Sequence, residues 1–398
     1  MERMIEVSAA LELILKNTLP LVKINCSLSE ASFKVLAEDI QAPSDVPAFD
    51  QSAMDGYAFQ FNDIAKALEI TDTIPAGSSA ETPVVSGTAQ RIFTGSKVPD
   101  GADTVVMQEH VTITEGGITI ESPNLKRGSN IRKAGSQIKK GDLALKTGTV
   151  LNAAGIGFIA SMGIDTVQVY KQPSVKIIVT GSELVAPGTP LSPGGTYESN
   201  SVMLETSLRS IGWNTISSAH VSDEKEDTLA LIQEASKQAD VVIVTGGVSV
   251  GDFDFVHQMQ QVEGFDAIFH KVKQKPGKPF LFGMHKGVPV FGLPGNPASV
   301  LTCFYIYVLP YLIRSAGRLN YQVPSVHRPL LSAVNKREHL TVFLKGKVHS
   351  EGVEVLPQQE SYILRSYAEA DCLIILPSGK ASWNIGEMAE AVLIPKFG

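Results

Sequence analysis

Cysteine is scarce and poorly placed for cross-linking. Cys26, Cys303 and Cys372 are the three in 398 residues; odd in number and far apart, they support neither a disulfide framework nor a zinc site and fit a reducing cytosol. The eight histidines show no His-Glu-x-x-His and no clustering, so a histidine metal centre is not expected. No Walker A sequence and no Gly-x-Gly-x-x-Gly occurs, which removes the ATP and dinucleotide readings. The formal charge is −7 with no basic stripe to offset it, so nucleic acid is not an expected partner. Long apolar runs are missing too. Val300 to Ile313 contains Pro310 and falls short of the roughly 20 residues that cross a bilayer, so it reads as a buried helix. Met1 to Ala10 carries Glu2, Arg3 and Glu6 and lacks a signal-peptide core. The expectation is a cytoplasmic protein without membrane association.

What is present is ordinary globular material, 43% hydrophobic and 19% charged, at a length that gives two or three domains by a prior of about 150 residues each. Its centre is 175–317. There Val175-Lys176-Ile177-Ile178-Val179, Asp240-Val241-Val242-Ile243-Val244 and Gly287-Val288-Pro289-Val290-Phe291 each run into a turn rich in Gly, Pro and polar residues. Near-continuous Val/Ile runs read as strands buried on both faces, the habit of parallel sheets. Ligands of open α/β sheets sit beyond the carboxyl ends of such strands. Helices are expected at Ser201–Ile211, Lys225–Gln238 and 298–314.

Elsewhere the text differs. Ser8 opens a short helix through Asn17, and Leu28 to Ile40 reads as a second, amphipathic helix. A turn-rich segment from Asp45 to Phe59 carries Asp45, Asp50 and Asp55 among residues of buried type. From Ile70 to Leu151 short alternating runs with frequent glycines suggest an all-β domain. Lys126 to Lys133 is basic and expected at the surface; Ala153–Met162 reads as a helix and Thr166–Tyr170 as its return strand. After Pro324 come short strands, Leu330–Val334, Thr341–Lys347, Val353–Leu356, Cys372–Leu376 and Ala391–Ile394, read as a small barrel or sandwich.

The turns carry the chemistry, each with a plainer alternative. Gly181, Gly246, Gly247 and Gly251 serve either as strand–helix turns needing positive φ or as backbone approaches to an anion. Glu183, Asp252 and Asp254 either cap helices or, gathered at converging strand ends, hold Mg²⁺ beside a phosphate. Lys271, Lys275 and Lys278 are either solvated surface charge or, around the stiff Pro276-Gly277, point charges set on an anion. Pro294 and Pro297 flank Gly295-Asn296 in a turn that starts a helix, itself compatible with anion binding.

Five stretches in register are identified with one family. Ser52-Ala53-Met54-Asp55-Gly56-Tyr57-Ala58, Thr180-Gly181-Ser182-Glu183-Leu184, Gly246-Gly247-Val248-Ser249-Val250-Gly251-Asp252, Lys275-Pro276-Gly277-Lys278-Pro279 and Gly292-Leu293-Pro294-Gly295-Asn296-Pro297 resemble MoeA, the molybdopterin molybdenumtransferases, similar to the gephyrin E domain and its plant counterpart. The resemblance implies a multidomain α/β plus β protein. A MogA/MoaB-like α/β domain with a parallel-type sheet would span 1–19 and 172–320, and an elongated linking domain 20–42 and 139–171. A β-rich domain would span 43–138 and a C-terminal β-barrel 321–398. It implies a homodimer with the site between subunits, and a reaction of adenylylated molybdopterin with molybdate that yields molybdenum cofactor and AMP. Mg²⁺ would be held by Glu183, Asp252 and Asp254. Asp55, Glu183, Asp254, Lys271 and Lys275 would be catalytic. Substrate would contact Thr94, Thr180, Gly181, Ser182, Asp223, Gly246, Gly247, Ser249, Lys278, Pro294, Gly295, Asn296, Pro297 and Lys345.

The chain departs from the family twice. Arg132-Lys133-Ala134-Gly135-Ser136-Gln137-Ile138 puts Gln137 where the pattern has aspartate, and Lys345 stands in an arginine position. The rival readings are a MogA-like adenylyltransferase, which the extra domains argue against, and a gephyrin-like scaffold, which the retained charged motifs argue against. A partner adenylyltransferase could hand over the substrate.

Overall fold

The computed structural model describes residues 4–78, 80–222, 225–246, 262–318 and 322–395. The chain divides into two units, one of Met1–Asn25, Ser32–Ala37 and Gln168–Gly398, the other of Cys26–Ala31 and Glu38–Val167.

The first unit is built on the three Val/Ile runs. They form a six-stranded sheet in the order Ile216–Val221, Val175–Thr180, Val241–Thr245, Val288–Leu293, Leu281–His285, Phe265–His270. The first four strands are mutually parallel; the fifth runs antiparallel to the fourth and the sixth antiparallel to the fifth. Alternation along the strands explains the unbroken apolar text. Val175, Ile177, Val179, Val241 and Ile243 pack with Ala10, Ile14, Leu204, Leu208 and the 297–315 helix. Ile178, Val242, Val244 and Val290 face the opposite way, onto Ile232 and Ala235. Burying each such side chain contributes about 1.5–3 kcal/mol. The Val7–Lys16 helix thus belongs to this core. Pro297–Ser315, long and apolar enough to cross a membrane, has 94% of that window buried inside the fold.

A second sheet in this unit departs from the barrel expected at the C-terminus. It runs as an open path, Gln274–Lys275, Thr341–Val348, Cys372–Leu376, Met388–Leu393, Ser325–Pro329, with Val353–Val355 added to Thr341–Val348. Closure requires the edges to pair. Here one edge is taken by Gln274–Lys275, parallel to Thr341 and Val342. The expected Leu330–Val334 strand is replaced by Ser325–Pro329 and a short Val334–Asn335 pairing with Ser382–Trp383.

The helix expected at Leu28–Ile40 is also absent. Only Leu28–Glu30 forms a single 3-10 turn, and Phe33 has φ 64°, a left-handed conformation that breaks an α-helix. Val35, Leu36 and Ala37 are buried in succession rather than at helical spacing. Their backbone groups go to the neighbouring strand, with Ala37 N donating to Gln168 O (2.9 Å) and Tyr170 N to Val35 O (2.9 Å).

The second unit carries a four-stranded sheet in the order Glu69–Ile74, Thr88–Ile92, Gly56–Phe59, Thr104–Met107, beside a Val111–Thr114/Gly117–Ile120 hairpin. Gly56 is forced: a Cβ there would lie 1.8 Å from Val106 O. Asn152 caps the Ala153–Ser161 helix by accepting from Gly155 N at 2.8 Å.

Candidate active site

Strand order reverses between Val175–Thr180, whose next strand lies to one side, and Val241–Thr245 on the other. Such a switch point is where doubly wound sheets open a crevice. Thr180, Gly246 and Pro294, at the ends of three adjacent strands, line a cleft of about 1060 Å³ there. Its floor is tied by polar bonds between strand ends. Thr245 Oγ1 donates to Pro294 O at 2.8 Å. Asn200 Nδ2 donates to Thr245 Oγ1 at 3.1 Å and to Gly295 O at 2.9 Å. His220 Nε2 donates to Gly181 O at 2.8 Å. Gly246, at φ 94°, admits no side chain, because a Cβ would lie 2.2 Å from Thr180 O. Among the described residues Thr180 Oγ1 and Asn200 Oδ1 have no hydrogen-bond partner, so hydrogen-bonding capacity remains at the floor.

One wall is the cationic loop. Gln274 is buried beneath it and donates from Nε2 to Pro276 O and Gly277 O, both at 3.1 Å, while Tyr307 OH holds its Oε1. Gly277 has φ 84°, and a Cβ there would meet Cys303 Sγ at 2.5 Å. Above this pinned backbone Lys275 and Lys278 are exposed and line the cleft. Facing groups come from Ser182 and the exposed Glu183, and from Glu198, whose carboxylate accepts from Ser201 N (2.9 Å) and Ser201 Oγ (2.5 Å). Asn296 sits at the start of the 297–315 helix and donates from Nδ2 to Ser361 Oγ at 2.8 Å. Through that bond Gln359, Ser361 and Tyr362 form the third wall.

The structure therefore brings together Thr180, Ser182, Glu183, Gly246, Lys275, Lys278 and the 294–297 turn, with Gly181 in the same strand end. Others are not among its lining residues. Lys271 lies at φ 68° and is not among the lining residues. Lys345 is 3% exposed and bonded to backbone carbonyls, against the expectation of a substrate contact. Asp55 and Thr94 lie in the second unit. Asp55 Oδ1 accepts from Thr94 N and Thr94 Oγ1, both at 2.8 Å. Those bonds, backbone first, and the nearby Arg91 charge hold its carboxyl below the usual range. Gln137 in that unit donates its backbone N–H to Val46 O at 2.9 Å. Asp223, Gly247, Ser249, Asp252 and Asp254 lie outside the described residues. Among the described residues no three carboxylate, histidine or cysteine side chains gather as a metal site.

Several lining groups escaped the sequence reading: Tyr197, Glu198, Asn200, Gln359, Ser361 and Tyr362. For Asn200 a signal exists, a Glu-Ser-Asn-Ser cluster at the start of a helix. Ser361 and Tyr362 carry none, since only the fold brings them to the 294–297 turn.

A sheet switch point with a lysine loop on one side and a glycine turn on the other is the ligand-cleft geometry of an open α/β domain, and residues 176–314 match the family described as a probable molybdopterin binding domain. Residues 5–163 match the MoeA N-terminal region (domain I and II) and 327–394 the MoeA C-terminal region (domain IV). The chain is 34% identical over 370 residues to a molybdopterin molybdenumtransferase of Haemophilus influenzae, with 91% of each chain covered. It is 32% identical over 400 residues to that of Staphylococcus aureus, covering 98% of this chain and 95% of the relative. The crystal structure of the molybdopterin biosynthesis MoeA protein from Pyrococcus horikosii matches at TM-score 0.81 and 30% identity, over 99% of this chain and 100% of that one. The chain belongs to the MoeA family of molybdopterin molybdenumtransferases.

Proposed function

We propose that the cleft converts adenylylated molybdopterin and molybdate to molybdenum cofactor with release of AMP. The chain is a transferase of molybdenum cofactor biosynthesis, as its family membership over nearly the whole length supports. The observation that carries the assignment to this cleft is the pinned loop. Gln274 and Tyr307 fix its backbone from below, so Lys275 and Lys278 meet phosphate or molybdate oxygens without reorganising first. The Thr180 hydroxyl and the turn amides are suited to orient the same anion. Tyr197 and Tyr362 give flat apolar surface for the fused rings of the substrate.

Glu183 is the exposed carboxylate lining the cleft. A single such oxygen donor fits Mg²⁺, which keeps most of its waters and binds largely through substrate phosphate; Asp252 and Asp254 are the proposed companions. When bound, the cation would screen charge on the leaving phosphate. The finer reading includes a homodimer in which Asp55 and Thr94 of one subunit serve the cleft of the other. It also includes the four-domain division, a cytoplasmic location and hand-over from an adenylyltransferase. The three cysteines are all buried, which fits that location.

The test is AMP release from adenylylated molybdopterin with and without molybdate and Mg²⁺, tracking molybdenum in the product. Molybdate-dependent AMP release with metal in the pterin is expected; adenylylation from ATP would move the chain to the preceding step. Lys275→Ala should lower kcat/KM roughly 10- to 100-fold, since a charge-assisted hydrogen bond is worth about 1.5–3 kcal/mol. Unchanged turnover would remove Lys275 from the site.

A further inference from the structure

Lys345 lies mid-strand in Thr341–Val348, opposite Leu373 of Cys372–Leu376. Its other edge faces a gap between the pairings at 341–342 and 346–348. The Gln359 side chain fills that gap as a strand would. Lys345 N donates to Gln359 Oε1 at 2.9 Å, and Gln359 Nε2 donates to Lys345 O at 2.9 Å and to Leu356 O at 2.7 Å. The Lys345 ammonium reaches the same segment and donates to Gln358 O (2.7 Å), Ile363 O (3.2 Å) and Glu360 O (3.3 Å). An ammonium has three N–H donors, and all are spent on backbone. None remains for an anion. Ser366 Oγ adds a fourth tie to Gln358 O at 2.8 Å, and Gln358 itself sits at φ 59°.

The segment so folded carries Gln359, Ser361 and Tyr362, the last 66% exposed, into the cleft lining. It docks on the helix start through Asn296 Nδ2 to Ser361 Oγ (2.8 Å) and Ala298 N to Ser361 O (3.1 Å). We propose that Lys345 is a positioning residue whose ammonium shapes residues 358–363 into the wall that binds the organic part of the substrate, and that it makes no contact with molybdate. A buried cation held only by carbonyls is costly to desolvate. Removing it leaves three carbonyls competing for water, and the turn loosens.

The proposal rests on the cleft being the substrate site, so two readouts separate their failures. Full-length Lys345→Met is compared with wild type, Lys345→Arg and Ser366→Ala. Hydrogen exchange at the 358–363 amides is expected to quicken in Lys345→Met whatever the chain catalyses. In AMP release, KM for adenylylated molybdopterin should rise about tenfold, with kcat within about twofold and KM for molybdate unchanged, the pattern of lost binding rather than lost chemistry. Lys345→Arg, with donors for the same carbonyls, should recover most of the loss. If Lys345→Met does not fold, Ser366→Ala should raise the same KM about threefold and quicken the same amides. A raised KM for molybdate, a fall in kcat at constant KM, or unchanged exchange at 358–363 would overturn the proposal. Absence of molybdate-dependent AMP release in wild type would sink the functional reading and leave the exchange test standing.

Discussion

Thr245 donates its hydroxyl proton to the carbonyl of Pro294, 2.8 Å away, joining the end of one parallel strand to the turn that leaves the next. Both groups are buried, and the same hydroxyl accepts from Asn200. Thr245→Val keeps the shape and removes donor and acceptor together. Stability in denaturant unfolding should fall by about 1–3 kcal/mol, the cost of leaving a buried polar group unpaired. Thr245→Ser should retain most of it.

Gly277 combines a left-handed backbone with a Cβ position 2.5 Å from Cys303 Sγ. Gly277→Ala must move the lysine loop or the helix beneath it. Strain of this kind costs about 1–3 kcal/mol, and because the loop carries Lys275 and Lys278, kcat/KM should fall further than stability alone explains. Parallel melting curves and initial rates check this. Adding Cys303→Ala removes the sulfur contact and leaves the backbone strain and the 2.8 Å approach to Gln274 Nε2, so the double variant should recover part of the loss.

Asp55 is held below the ordinary carboxylate range first by the Thr94 amide and then by its hydroxyl. A depressed acid contributes above its unfolded value, near ~3.9, and loses that contribution as pH falls through the folded value. Thr94→Val removes one of the two bonds. The Asp55 titration, followed by carboxyl NMR, should move up toward the ordinary value, and the acid limb of activity should move with it. An unmoved titration would show that the amide alone sets the carboxyl.

His285 is 2% exposed in the Leu281–His285 strand. Burial first, and then the Lys286 charge, lower its pKa. The unfolded chain therefore takes up this proton near pH ~6.5 while the folded one resists. Stability is full above that pH and declines as pH drops below it. His285→Phe should flatten the stability–pH curve below about pH 6.5, measured by urea unfolding at each pH.

The sheet was legible because its strands are buried on both faces, which writes Val175–Val179 and Val241–Val244 as unbroken apolar text. The cleft was legible where motif and strand end coincide, as at Thr180, Gly246, Lys275 and Pro294. Periodicity misled at 28–40, where Val35, Leu36 and Ala37 are buried consecutively by a strand distant in sequence. Charge misled at Lys345, because nothing local says that its partners are the carbonyls of 358, 360 and 363. Tyr362 and Ser361 could not be found from text for the same reason. Their place in the cleft depends on contacts spanning 65 residues, as between Asn296 and Ser361.

Gln274 and Lys275 are at once the outermost strand of the C-terminal sheet and the first residues of the lysine loop. A cut after residue 320 would spare every Val/Ile strand of the central sheet and still strip the loop of its ladder partners Thr341 and Val342. The lysine loop and the C-terminal sheet share one hydrogen-bonded ladder. Transplanting the central sheet alone into another protein would leave behind the ladder that holds the start of the lysine loop.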